Sequence, residues 1–118
     1  MRFSGVMMGS SDSHKLGGFY TKVLGKPSFQ SDAWYGWFDG AQLVIGTHSE
    51  VSGSSSMPQR IMLMFEVDDV ASEVDRISGL GANVISKPYQ PDGGDGGWLA
   101  TLEDPDGNYL QLHTPMSQ

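Results

Sequence analysis

Two short stretches carry the residues whose types and spacing could do chemistry. Along Ile61–Val67, alternation puts Met62, Met64 and Glu66 on one side of an extended chain; along Tyr109–His113 it does the same for Tyr109, Gln111 and His113. A carboxylate and an imidazole set among thioethers, a phenol and an amide are the ingredients of proton transfer. Desolvation in such surroundings would raise the pKa of Glu66 and make it a candidate general base, with His113 as a second acid–base group and Tyr109 as a polar partner. The plainer alternatives are a glutamate at a sheet end open to water and a histidine exposed where its strand stops. His14 and His48 fall in a helix's first turn and before a Ser/Gly-rich stretch, so both read as surface residues. The chain has no cysteine, which excludes disulfides and thiolate metal sites.

These positions depend on a hairpin. Asp104-Pro105-Asp106-Gly107 has the chemistry of a tight turn: Pro105 presets φ, Asp106 tolerates the next position, and Gly107 can take φ > 0. Alternating segments flank it, Trp98–Glu103 before and Tyr109–Thr114 after, with Leu110 and Leu112 on the face opposite Gln111 and His113. Upstream, Ile61–Val67 reads as a strand and Asp68 or Asp69 as the cap of a helix striped by Val70, Val74, Ile77 and Leu80, which Gly81 ends. Asn83–Ser86 is a short strand and Pro88–Gly97 a loop. Within that loop Asp92-Gly93-Gly94-Asp95-Gly96-Gly97 is read as a flexible loop rather than a phosphate cradle, since two aspartates would repel a phosphate, and as a candidate lid over the cavity.

The first half runs in the same order. Residues 2–9 alternate as a strand, and Asp12 or Ser13 caps a helix striped by Leu16, Phe19, Tyr20, Val23 and Leu24. Gly25 and Pro27 stop that helix. Strands Ser28–Ser31, Trp34–Asp39 and Gln42–Thr47 follow, with Asp39-Gly40 as a turn. The expected fold is therefore α/β (α+β): two βαβββ modules, 1–48 and 59–118, joined by a Ser/Gly-rich linker at 49–58 within one domain of 118 residues. Their strands should form a curved mixed sheet with helices outside and a concave cavity within. Alternation assigns to the cavity Met7, Leu43 or Val44, Ile45, Met62, Met64, Glu66, Tyr109, Gln111 and His113, with Thr101 beside them. Ile61, Leu63, Phe65 and Val67 are assigned to the core. Methionine-rich linings adapt to irregular apolar ligands, although packing is the simpler account of Met62 and Met64.

Fourteen acidic against seven basic residues give a net charge of −7, which argues against nucleic acid and allows a cationic ligand. No signal-peptide run or membrane span is visible, so a cytoplasmic location away from membranes is expected.

Phe19-Tyr20-Thr21-Lys22-Val23-Leu24-Gly25 and Glu103-Asp104-Pro105-Asp106-Gly107-Asn108 resemble the two signature stretches of the vicinal oxygen chelate superfamily. Glyoxalase I, extradiol dioxygenases, fosfomycin-modifying enzymes and bleomycin-resistance proteins belong to it. Metal-dependent members hold a divalent ion with a His or Glu from each of four strands. Carried over, those positions fall on Gly5, Ile45, Met62 and Gln111, none a competent ligand, so the resemblance implies a site with no metal and no cofactor. It also implies a homodimer, and places Trp34, Trp37 and Trp98 at cavity walls or a dimer groove, where they could stack on a flat or cationic ligand. The expected function is metal-independent binding of a small, partly aromatic molecule, in the manner of the bleomycin-resistance branch. The alternatives are a metal-independent lyase or isomerase working through Glu66 and His113, and an interaction module with a vestigial cavity.

Overall fold

A computed structural model describes residues 1–91 and 96–115. Residues 92–95 of the loop expected to act as a lid lie outside them. The fold is α+β, in two compact units, 1–53 and 54–118, each a βαβββ module with its own four-stranded mixed sheet.

In the first unit β1 (Gly5–Ser10) leads into α1 (Ser13–Leu24), then β2 (Phe29–Gln30), β3 (Trp34–Asp39) and β4 (Ala41–Thr47). Asp12 caps α1 by accepting the Lys15 N–H at 3.1 Å, and Gly25 closes it at φ 94° with its N–H on the Thr21 carbonyl. The sheet order is β1-β4-β3-β2, with β1 and β4 parallel and the other pairs antiparallel. Leu16, Phe19 and Tyr20 of α1 are buried against Tyr35, Trp37 and Ile45. The Trp37 indole N–H donates to the Gly25 carbonyl at 2.9 Å, and its ring stacks on Tyr35 and meets the edge of Tyr20. Gly17 is what lets Tyr35 in: a Cβ there would stand 2.6 Å from Tyr35 Cγ and Cε1.

In the second unit β5 (Leu63–Glu66) leads into α2 (Val70–Ser78), then β6 (Asn83–Tyr89), β7 (Leu99–Glu103) and β8 (Tyr109–His113), in the order β5-β8-β7-β6. Asp69 caps α2 through the Ser72 N–H. The helix ends at Ser78, with Gly79 as its C-cap; Gly81 then takes φ 106° to turn the chain. Val70, Val74 and Ile77 are buried with Ala100, Leu102, Leu110 and Leu112, the apolar face of β7 and β8. The 104–107 turn is organised by the buried Asp104 carboxylate, which accepts the N–H groups of Asp106 (2.8 Å) and Asn108 (3.0 Å) and the Asn108 side-chain amide.

The core assignment of Ile61 is overturned. It precedes β5, is 71% exposed, and contributes nothing to the packing, whereas Leu63 and Phe65 are half-buried on the helix face. No helix among the described residues is long and apolar enough to cross a membrane.

Candidate functional site

Each sheet has one face packed on its helix and one face free of it, and pairing register fixes which residues share the free face. In the first unit Met7 pairs with Val44, and Val44 with Gly36; Gly9 pairs with Gly46, and Gly46 with Trp34. Met7 and Trp34 are exposed there. Trp34 lies over Gly46, where a Cβ would come within 2.5 Å of its ring. Ile45 and Trp37 are on the other face. Ile45 pairs with Tyr35 and is 0% exposed, and Trp37 is buried under α1, so the placement of these two on an open lining is corrected. Of the two options left open by the sequence, Val44 rather than Leu43 accompanies Met7.

In the second unit the register runs Met64–Gln111–Thr101 in one row and Glu66–His113–Leu99 in the next, with Tyr109 opposite Glu103 beyond them. Met64, Glu66, Thr101, Tyr109, Gln111 and His113 thus share the face away from α2. Met64 is 54% exposed and Glu66 is exposed, not sunk in an apolar hollow. Met62 precedes β5 and is half-buried; Trp98 precedes β7, its N–H on the Thr114 hydroxyl, and is exposed.

Among the described residues, no hydrogen bond or ion pair engages the side chains of Glu66, Thr101, Tyr109 or Gln111. Thr101 is 8% exposed, and because no buried polar side-chain atom among the described residues lacks a partner, its hydroxyl keeps contact with solvent. Elsewhere in the unit comparable groups are matched: the Asn83 amide donates to the Glu103 carboxylate at 2.9 Å. His113 is oriented by its own strand end, with Nδ1 2.8 Å from the Thr114 carbonyl. A carbonyl only accepts, so in the neutral ring Nδ1 carries the proton and Nε2 presents a lone pair. No side-chain pattern signals this contact, because the partner is a backbone atom.

The four positions that would hold a divalent ion do not fit one. Gly5 has no side chain, and a Cβ there would collide with the Gln42 carbonyl; Ile45 is buried under the helix, and Val44 and Gly46 beside it offer no donor. Met62 and Gln111 bring a thioether and an amide. Among the described residues no three His, Cys, Asp or Glu side chains stand together as a metal-holding group.

Residues 5–113 match the family model of the glyoxalase-like domain, and the chain therefore belongs to that family and to the vicinal oxygen chelate superfamily. Solved structures agree on the fold. A glyoxalase/bleomycin resistance protein/dioxygenase family enzyme from Burkholderia phytofirmans PsJN superposes with a TM-score of 0.78 at 24% identity, covering 97% of this chain and 98% of that one. A glyoxalase/bleomycin resistance protein from Albidiferax ferrireducens T118 gives 0.74 at 25% identity, covering 96% and 98%. The fosfomycin resistance protein FosX from Listeria monocytogenes gives 0.75 at 16% identity, covering 98% and 94%. No curated protein matches the sequence.

Proposed function

We propose that this protein binds a small, partly aromatic organic molecule without a divalent metal, and retains it rather than transforming it. The observation that carries this reading is the row of unengaged polar side chains, Glu66, Thr101, Tyr109 and Gln111, on a sheet face that α2 does not cover. These groups keep contact with solvent, so each has donor or acceptor capacity that a ligand could take up. Exposed Met64 adds adaptable apolar surface to the same face. The donor set at Gly5, Ile45, Met62 and Gln111 supports the metal-free part. The proposal includes a homodimer, consistent with exposed Phe29 and Phe38, and a cytoplasmic location.

A thermal-shift screen against cationic aromatic compounds and antibiotics tests it, because a ligand at 100 Kd stabilises the fold by about 2.7 kcal/mol. Stoichiometric, tight binding of Ni²⁺ or Zn²⁺ would remove the metal-free part. Sedimentation as a monomer would remove the dimer.

The His113 geometry favours a second reading. With Nδ1–H committed to Thr114 and Glu66 in the adjacent register position, Nε2 is set to take a proton from a bound substrate, as a metal-free lyase or isomerase requires. Consumption of a bound compound, lost in Glu66→Gln and in His113→Gln, would establish it.

A further inference from the structure

Resting on the binding reading above, the inventory of the second unit's free face goes further and specifies what the ligand carries. At one end Glu66 and His113 are Cα partners on neighbouring parallel strands. Both present acceptors, a carboxylate and the Nε2 lone pair, because Nδ1–H is already spent on Thr114. Strands β5, β7 and β8 contain no lysine or arginine, so no cation of the sheet's central strands competes for that pair. One register step away, Gln111 faces Thr101. The amide both donates and accepts, as does the hydroxyl, and neither has a protein partner. Thr101 lies on the same face, and its hydroxyl keeps contact with solvent and has no protein partner.

We propose that Glu66 and His113 receive a protonated nitrogen of the ligand, an ammonium or amidinium. The Thr101–Gln111 pair receives a neutral carboxamide or hydroxyl of the same molecule. Two residues along a strand set the spacing between these groups at about 7 Å. A flat six-membered ring with the two groups in para positions spans that distance and lies beside Met64.

The probe is 4-(aminomethyl)benzamide, with 4-methylbenzamide lacking the charge and 4-methylbenzylamine lacking the amide. Amide chemical shifts of the whole protein are followed by NMR during titration at pH 7.5. The expected result is saturable shifts centred on Thr101, Gln111 and His113, with the probe at least tenfold tighter than either analogue. Glu66→Gln should weaken the probe and 4-methylbenzylamine about tenfold and leave 4-methylbenzamide unchanged. Thr101→Val, close in shape and removing an unpaired hydroxyl, should weaken the two amides and leave 4-methylbenzylamine unchanged.

Equal affinity for charged and uncharged compounds at these residues overturns the inference while leaving the binding reading intact. Shifts centred elsewhere, or none that saturate, overturn it as well. The binding reading itself falls only if the broader thermal-shift panel also yields no ligand.

Discussion

Tyr35 sets its ring in the space that a side chain on Gly17 would occupy. The ring cannot readily yield: it is buried, stacked on Trp37 at a 6.2 Å centroid distance, and its hydroxyl lies 3.2 Å from His14 Nδ1. Gly17→Ala should therefore destabilise the protein by about 1–3 kcal/mol, the usual cost of overpacking. Gly18 is the control, with nothing within 4 Å of its Cβ position. Gly18→Ala should stabilise by about 1 kcal/mol through helix propensity alone. Urea denaturation of the two variants checks the opposite signs.

Gly36 and Gly46 make a similar contrast on the first unit's free face. A Cβ at Gly36 meets only Phe29, at 3.8 Å, and Gly36 has no positive φ, so Gly36→Ala should gain about 0.5–1 kcal/mol. At Gly46 the same methyl must displace the Trp34 ring. Gly46→Ala should change the near-ultraviolet circular dichroism and tryptophan emission, and Gly36→Ala should leave both near wild type.

Asp104 holds the β7–β8 turn through its carboxylate. Asp104→Ala leaves the Asp106 and Asn108 N–H groups without their acceptor and should cost about 2–3 kcal/mol, whereas Asp104→Asn, which keeps one acceptor oxygen, should cost less. Thermal denaturation gives the ranking. Faster amide exchange confined first to β7 and β8 would locate the damage.

Asp69 ties α2 to acid sensitivity. The Ser72 backbone N–H, and then the Ser72 hydroxyl, hold its carboxyl below the ordinary aspartate value of 3.8. A depressed folded-state pKa stabilises at and above the unfolded pKa, and that stabilisation is lost as pH falls through the folded value. The N-terminal turn of α2 should therefore loosen below about pH 4. An NMR titration should place the Asp69 midpoint under that of an unstructured aspartate, and Asp69→Asn should remove this share of the acid dependence.

Much of the architecture was legible because local chemistry and tertiary fold agree. Asp12, Asp69, Gly25, Gly40 and Gly107 each mark a cap or turn that the structure contains. The polar face of β8 could be read because Leu110 and Leu112 alternate with Gln111 and His113. The face of β4 could not. Leu43-Val44-Ile45 is uninterruptedly apolar, so alternation has no polar marker, and the register with β1 and β3 decides that Ile45 goes under the helix. Trp37, which the resemblance places at a cavity wall or dimer groove, goes under α1 instead, its indole N–H held by the Gly25 carbonyl at the end of that helix. Pro88 reads as the start of a loop, yet β6 runs on to Tyr89, because an edge strand needs no donor at that position.

The irregular outline of β6 also governs how the protein behaves in crowded solution. This strand is the outer border of its sheet, carries exposed Val84, Ile85 and Tyr89, and would otherwise offer a sticky template for another chain. Its two breaks of register, between Val84 and Ser86 and between Ser86 and Tyr89, spoil the even ladder such growth requires. Lys87 and the missing donor of Pro88 add charge and a gap. Strand addition should thus be disfavoured at the border where hydrophobic side chains would most invite it.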